Sequence, residues 1–96
     1  MIRVLVVDDS PTMRDLLVRL LASDPGVSVV GVASDGDEAV EKARALRPDL
    51  ITMDIRMPRF DGVSAIKAIM REVPTPIVVL CSDSGDRTLN IGFNAL

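Results

Sequence analysis

Three aspartates and one serine fall where short apolar runs end: Asp8 and Asp9 follow Ile2 to Val7, Asp54 follows Leu50 to Met53, and Ser82 follows Ile77 to Cys81. If those runs are neighbouring strands, the four side chains meet at one end of a sheet. Carboxylates drawn together and out of water raise the free energy of one another's ionised forms, so such a cluster takes up protons, destabilises the fold or binds a cation. Oxygen donors without imidazole or thiolate favour a hard ion, and Mg2+, held by one or two carboxylates and several waters, fits them. Histidine is absent and Cys81 is the sole cysteine, which excludes a Ser-His-Asp triad, a Cys/His zinc site and an internal disulfide.

Each residue also has an ordinary reading. An aspartate after a strand is commonly a turn or cap residue, and a serine there a loop hydroxyl. Ser10, however, stands at the N-cap position before Pro11, which leaves Asp8 and Asp9 without an evident structural task. Asp54 closes an apolar run and is followed by Ile55, not by a turn residue. Cys81, inside an apolar run, reads as a small core residue.

The elements that must position these groups alternate along the chain. Four runs rich in Val, Ile and Leu, namely Ile2 to Val7, Val27 to Ala33, Leu50 to Met53 and Ile77 to Cys81, suit strands covered on both faces. Between the first two, Met13, Leu16, Leu17, Leu20 and Leu21 recur at helical spacing and predict a core-facing stripe, stopped by Asp24, Pro25 and Gly26. A second helix begins near Asp35 to Asp37, packs through Ala39, Val40, Ala43 and Leu46, and ends before Pro48. A third follows Asp61 and Gly62 and presents Val63, Ile66, Ile69 and Met70; a fourth carries Leu89, Phe93 and Leu96 on one face. The βαβαβαβα order predicts an open α/β fold with a doubly wound parallel sheet, whose crevice lies at the carboxyl ends of the strands.

Fourteen acids against eleven bases, with Phe60 and Phe93 as the only aromatics, argue against nucleic-acid binding, because the surface repels phosphate and offers few rings for stacking. The leading apolar run stops at two aspartates, unlike a signal peptide, and no window reaches the length of a membrane span, so a cytoplasmic protein that does not enter the membrane is expected. Ninety-six residues make one domain, 1–96.

Val7-Asp8-Asp9-Ser10, Met53-Asp54, the segment Met57-Pro58-Arg59-Phe60-Asp61-Gly62 and Leu80-Cys81-Ser82, in that order on matching strands, resemble the receiver domain of two-component response regulators. The likeness runs from Met1 to Leu96, and the segment Ile69 to Val79 with Pro74-Thr75-Pro76 is most similar to receivers of the chemotaxis protein-glutamate methylesterase. The resemblance implies a flavodoxin-like sheet of order 2-1-3-4-5 and a histidine kinase as partner. It also implies that Asp54 accepts a phosphoryl group. Mg2+ would then be held by Asp9, Asp54 and the main-chain carbonyl of Arg56, with Asp8 reaching the ion through water. Ser82 matches the switch hydroxyl, and a methylesterase effector domain in a longer protein is the implied output.

One departure from the family stands out. The chain ends before the fifth strand, which in receivers carries a lysine that contacts the phosphoryl group, and before the fifth helix. Lys42 and Lys67, the only lysines, fall on polar faces of predicted helices and do not substitute for it. Either the sequence belongs to a longer protein or the exposed fourth strand is expected to drive self-association as a homo-oligomer. Among rivals, a nucleotide or flavin binder needs a phosphate cradle of main-chain N–H groups where Asp8-Asp9-Ser10-Pro11 supplies two charges and lacks one N–H. An aspartyl-nucleophile phosphatase resembles Asp-x-Asp, and Ser10 occupies the second acidic place. A receiver-like interaction module that is never phosphorylated is the remaining alternative.

Overall fold

The computed structural model describes residues 1–54 and 62–80. Its elements are β1 (Ile2–Val7), α1 (Pro11–Ala22), β2 (Val27–Ala33), α2 (Gly36–Leu46), β3 (Leu50–Asp54), α3 (Gly62–Glu72) and β4 (Ile77–Leu80). All strand pairs are parallel and the order is β2-β1-β3-β4, as the expected 2-1-3-4-5 pattern requires of its first four strands. The chain therefore steps from β1 to one side, then returns to β1's other side with β3. That reversal opens a crevice at the carboxyl ends of β1 and β3. The fourth helix expected around Leu89, Phe93 and Leu96 lies outside the described residues; among the described residues β4 is the last strand of the sheet, and nothing there tests the expected self-association.

Period-two alternation divides the sheet into two faces. Leu5, Val7, Ile51, Met53 and Ile77 point to one, where they form a continuous core with Ala39 and Ala43 of α2 and Ala65 and Ile69 of α3. Small alanines let both helices approach the sheet closely. Val4, Val6 and Thr52, all buried, lie on the opposite face. Among the described residues β2 is an edge strand and is half-buried over most of its length, so it is less enclosed than its apolar composition predicts. Its register with β1 shifts between Val4 and Leu5, which brings Gly31 opposite Leu5. A Cβ at Gly31 would meet Leu46 Cδ1 at 2.7 Å, so glycine leaves the space that Leu46 of α2 fills.

Local chemistry sets the helix ends. Ser10 caps α1, its Oγ accepting from the Met13 amide at 3.3 Å with Pro11 in the first turn. Asp35 caps α2, its Oδ1 accepting from the Glu38 amide at 2.8 Å, and Glu38 reaches back to accept from the amide and hydroxyl of Ser34 at 2.8 and 2.9 Å. At the other end Arg47 adopts the left-handed conformation, φ 47°, and its carbonyl accepts from Arg3 Nη1 at 2.9 Å. Arg44 forms a two-pronged pair with Glu72 at 2.9 and 2.8 Å, which clamps α2 to the end of α3.

Two expectations about packing are corrected. Only part of the stripe on α1 is covered: Met13 is 37%, Leu16 48% and Leu20 60% exposed, and no residue of α1 is fully buried. Leu17, Val18 and Leu21 are half-buried, on a helix that packs against β1 and β2. Val63 is likewise 59% exposed, and α3 turns Ala65 and Ile69 to the core in its place. Helical spacing fixes which residues share a face but not what covers that face.

Candidate functional site

β1 runs directly into the site. Val7 pairs with Ala33 of β2 and Met53 of β3, and the ladder continues one residue further as the Asp8 amide donates to the Ala33 carbonyl at 3.0 Å. Asp8 is thereby held at the mouth of the crevice, 2% exposed. Its Oδ1 accepts the Ser10 amide at 2.9 Å, an aspartate turn that leads the chain into α1. The ordinary turn role weighed for this acid and set aside because Ser10 caps the helix is the one the hydrogen bond supplies, alongside its place in the cluster. Asp9, next along the chain, is exposed.

Asp54 ends β3 opposite Leu80 of β4 and is 7% exposed. From the two strand ends, Asp8, Asp9 and Asp54 each bring one carboxylate oxygen into a group lying within 4.8 Å of one another. Burial, above all, pushes the Asp8 carboxyl above its usual range; the Ser10 amide opposes that shift, the charges of Asp54 and Asp9 add to it, and Arg14 offsets part of it. The site is therefore a cluster of carboxylates whose most buried member, Asp8, is held toward its protonated form.

The donor set is all oxygen, as a hard cation requires. Mg2+ with oxygens at about 2.1 Å separates adjacent ligand atoms by roughly 3 Å and opposite ones by about 4 Å, the scale of this cluster. Arg56 and Ser82, the expected carbonyl ligand and switch hydroxyl, lie outside the described residues, as do Cys81 and the segment 55–61. Lys42 is in α2, where its Nζ donates to the Val32 carbonyl at 2.5 Å and pairs with Glu38 at 3.3 Å. One neighbour of the site went unrecognised in the sequence: Arg14 Nη1 donates to the Asp8 carbonyl at 2.8 Å. Its position one helical turn beyond Ser10 was the available signal.

Comparison with known proteins follows the same lines. Residues 4–94 match the profile of the response regulator receiver domain. The chain is 60% identical over 79 residues to protein-glutamate methylesterase/protein-glutamine glutaminase 4 of Myxococcus xanthus (strain DK1622), an alignment covering 82% of this chain and 22% of that protein. The response regulator domain of Thermotoga maritima CheB superposes with a TM-score of 0.82 at 52% identity, over 88% of this chain and 65% of that one. A chain of the CheX-CheY-BeF3-Mg2+ complex of Borrelia burgdorferi superposes with a TM-score of 0.76 at 31% identity, over 83% and 61% of the two chains. The chain spans about a quarter of the length of the curated relatives it matches. Among the described residues no helix is long and apolar enough to cross a membrane.

Proposed function

The chain belongs to the response regulator receiver family, and on that premise we propose that Asp54 is the carboxylate that takes a phosphoryl group from a histidine kinase. The observation that carries this reading is the meeting of Asp8, Asp9 and Asp54 within 4.8 Å at the carboxyl ends of β1 and β3. An Asp54 oxygen attacks the phosphorus of a phosphohistidine, the P–N bond breaks, the imidazole leaves with its electron pair, and an aspartyl phosphate results. Little covalent work falls to the protein in such a transfer; alignment and charge compensation dominate.

By the family resemblance the Asp9 and Asp54 side chains would hold Mg2+ directly and Asp8 would do so through water. Bound Mg2+ offsets the charge of the cluster and of the phosphoryl oxygens. The fit of an all-oxygen donor set supports this assignment, and the resemblance adds the Arg56 carbonyl as a ligand and the Ser82 hydroxyl as the switch. The similarity to protein-glutamate methylesterases supports a methylesterase domain as the output and a cytoplasmic chemotaxis pathway as the setting.

The test is incubation with Mg2+ and a small acyl phosphate, followed by mass mapping. One base-labile phosphoryl adduct on Asp54, absent from Asp54→Asn, is expected. An adduct that survives that substitution, or Mg2+ binding with no adduct even in a longer form that carries the family lysine, overturns the acceptor assignment; the second outcome favours an interaction module that is not phosphorylated.

A further inference from the structure

We propose that Arg14 is a positioning residue of the acidic site: by holding the carbonyl of Asp8 it fixes the peptide plane from which Asp9 projects. The proposal rests on the reading of Asp8, Asp9 and Asp54 as one cation-binding group. Asp8 is restrained at three points, its amide by the Ala33 carbonyl at 3.0 Å, its Oδ1 by the Ser10 amide at 2.9 Å and its carbonyl by Arg14 Nη1 at 2.8 Å. The carbonyl oxygen of Asp8 and the nitrogen and Cα of Asp9 lie in one rigid plane, so a restraint on the first orients the second. Asp9 needs that help. It is exposed, and its carboxylate makes no hydrogen bond among the described residues.

Arg14 is well placed for the task. Its own amide donates to the Ser10 carbonyl at 2.9 Å, in the first turn of a helix that Ser10 caps, so the guanidinium reaches back from a fixed base. It forms no ion pair among the described residues, so its direct contact with the site is with a carbonyl and not with a carboxylate. A competing role, plain neutralisation of the three acids, makes the opposite prediction. Removing a neighbouring positive charge strengthens cation binding by Coulomb attraction alone, whereas loosening the Asp8–Asp9 peptide weakens it.

The experiment is calorimetric titration of the full chain and of Arg14→Met and Arg14→Lys with Mg2+, together with amide hydrogen exchange of the metal-free proteins. Arg14→Met is expected to weaken Mg2+ binding about tenfold and to speed exchange at Ser10 selectively, with Arg14→Lys, which keeps a donor, between it and the parent. Equal or tighter binding by Arg14→Met overturns the proposal in favour of charge compensation. Exchange raised uniformly through β1 and α1 overturns it in favour of a general scaffold role. If the parent binds no Mg2+, the metal assignment fails by itself; exchange then decides the positioning role, an unchanged Ser10 amide in Arg14→Met overturning it and a selective increase supporting it.

Discussion

The Asp8 carboxylate accepts the Ser10 amide at 2.9 Å, so one buried acid both opens the anionic cluster and makes the turn into α1. The two tasks separate by substitution. Asp8→Asn keeps an oxygen for Ser10 and removes a charge; Asp8→Ala removes both. In metal-free buffer at neutral pH, Asp8→Asn is expected to be more stable than the parent by about 1 kcal/mol, because a desolvated charge beside two others is gone. Asp8→Ala is expected to lose about 1 kcal/mol relative to Asp8→Asn through the unsatisfied Ser10 amide. Urea unfolding with and without Mg2+ checks this, since saturating Mg2+ should reverse the advantage of Asp8→Asn.

Two carboxylates give opposite pH slopes. The Asp8 carboxyl is raised above 3.8 by burial, so the native state keeps its proton where the unfolded chain has lost it. Its contribution to stability is present below pH 3.8 and disappears as pH rises through the folded value. Glu38 is lowered from 4.5, chiefly by the Ser34 amide, then by the Ser34 hydroxyl, with Lys42 adding to both. Its contribution is present above pH 4.5 and is lost as pH falls through the folded value. Unfolding free energies followed across this range in metal-free buffer are expected to lose the first slope in Asp8→Asn and the second in Glu38→Gln. The Glu38 effect should be about 1 kcal/mol or less because that side chain is over one-third exposed.

Mg2+ should stabilise the fold by mass action. At one hundred times its dissociation constant the gain is about 2.7 kcal/mol, a rise in Tm on the order of 10 °C for a domain of this size. Asp9→Asn and Asp54→Asn are expected to remove most of that rise. A chelator should return the parent to the metal-free curve, and equal Mg2+-induced shifts in all three proteins would count against a shared site.

The Arg44–Glu72 clamp joins helices whose alanines already pack on the same sheet face. Both side chains are partly exposed, at 55% and 39%, so the pair is expected to contribute little despite good geometry. A double-mutant cycle with Arg44→Met and Glu72→Gln should give a small favourable coupling that shrinks as salt is added.

What the sequence disclosed was whatever periodicity and residue type determine. The element order and the parallel sheet followed from βα alternation and the strand order from the family resemblance, and Asp8, Asp9 and Asp54 were found because each follows an apolar run; the Ser10 cap was visible from Pro11 beside it. The Asp8–Ser10 and Arg14–Asp8 hydrogen bonds were not, because each depends on the path of the chain between residues and leaves no periodic trace. The stripe on α1 was right for Leu17 and Leu21 and wrong for Met13, Leu16 and Leu20, for a third reason. Leu16 and Leu20 recur as core leucines do, but burial is a property of what lies opposite.

That misassignment yields the sharpest stability contrast. Leu16 and Leu20 are 48% and 60% exposed, and glutamine has nearly the helix propensity of leucine. Leu16→Gln and Leu20→Gln are therefore expected to change unfolding free energy by no more than about 0.5 kcal/mol. Ile69→Ala, at a fully buried position of α3 against the sheet, should cost about 2–5 kcal/mol through lost transfer energy and the cavity it leaves. Urea midpoints in the isolated chain decide between the two packings of α1. If Leu16→Gln costs as much as Ile69→Ala, this helix buries its stripe in solution and the exposed arrangement is wrong.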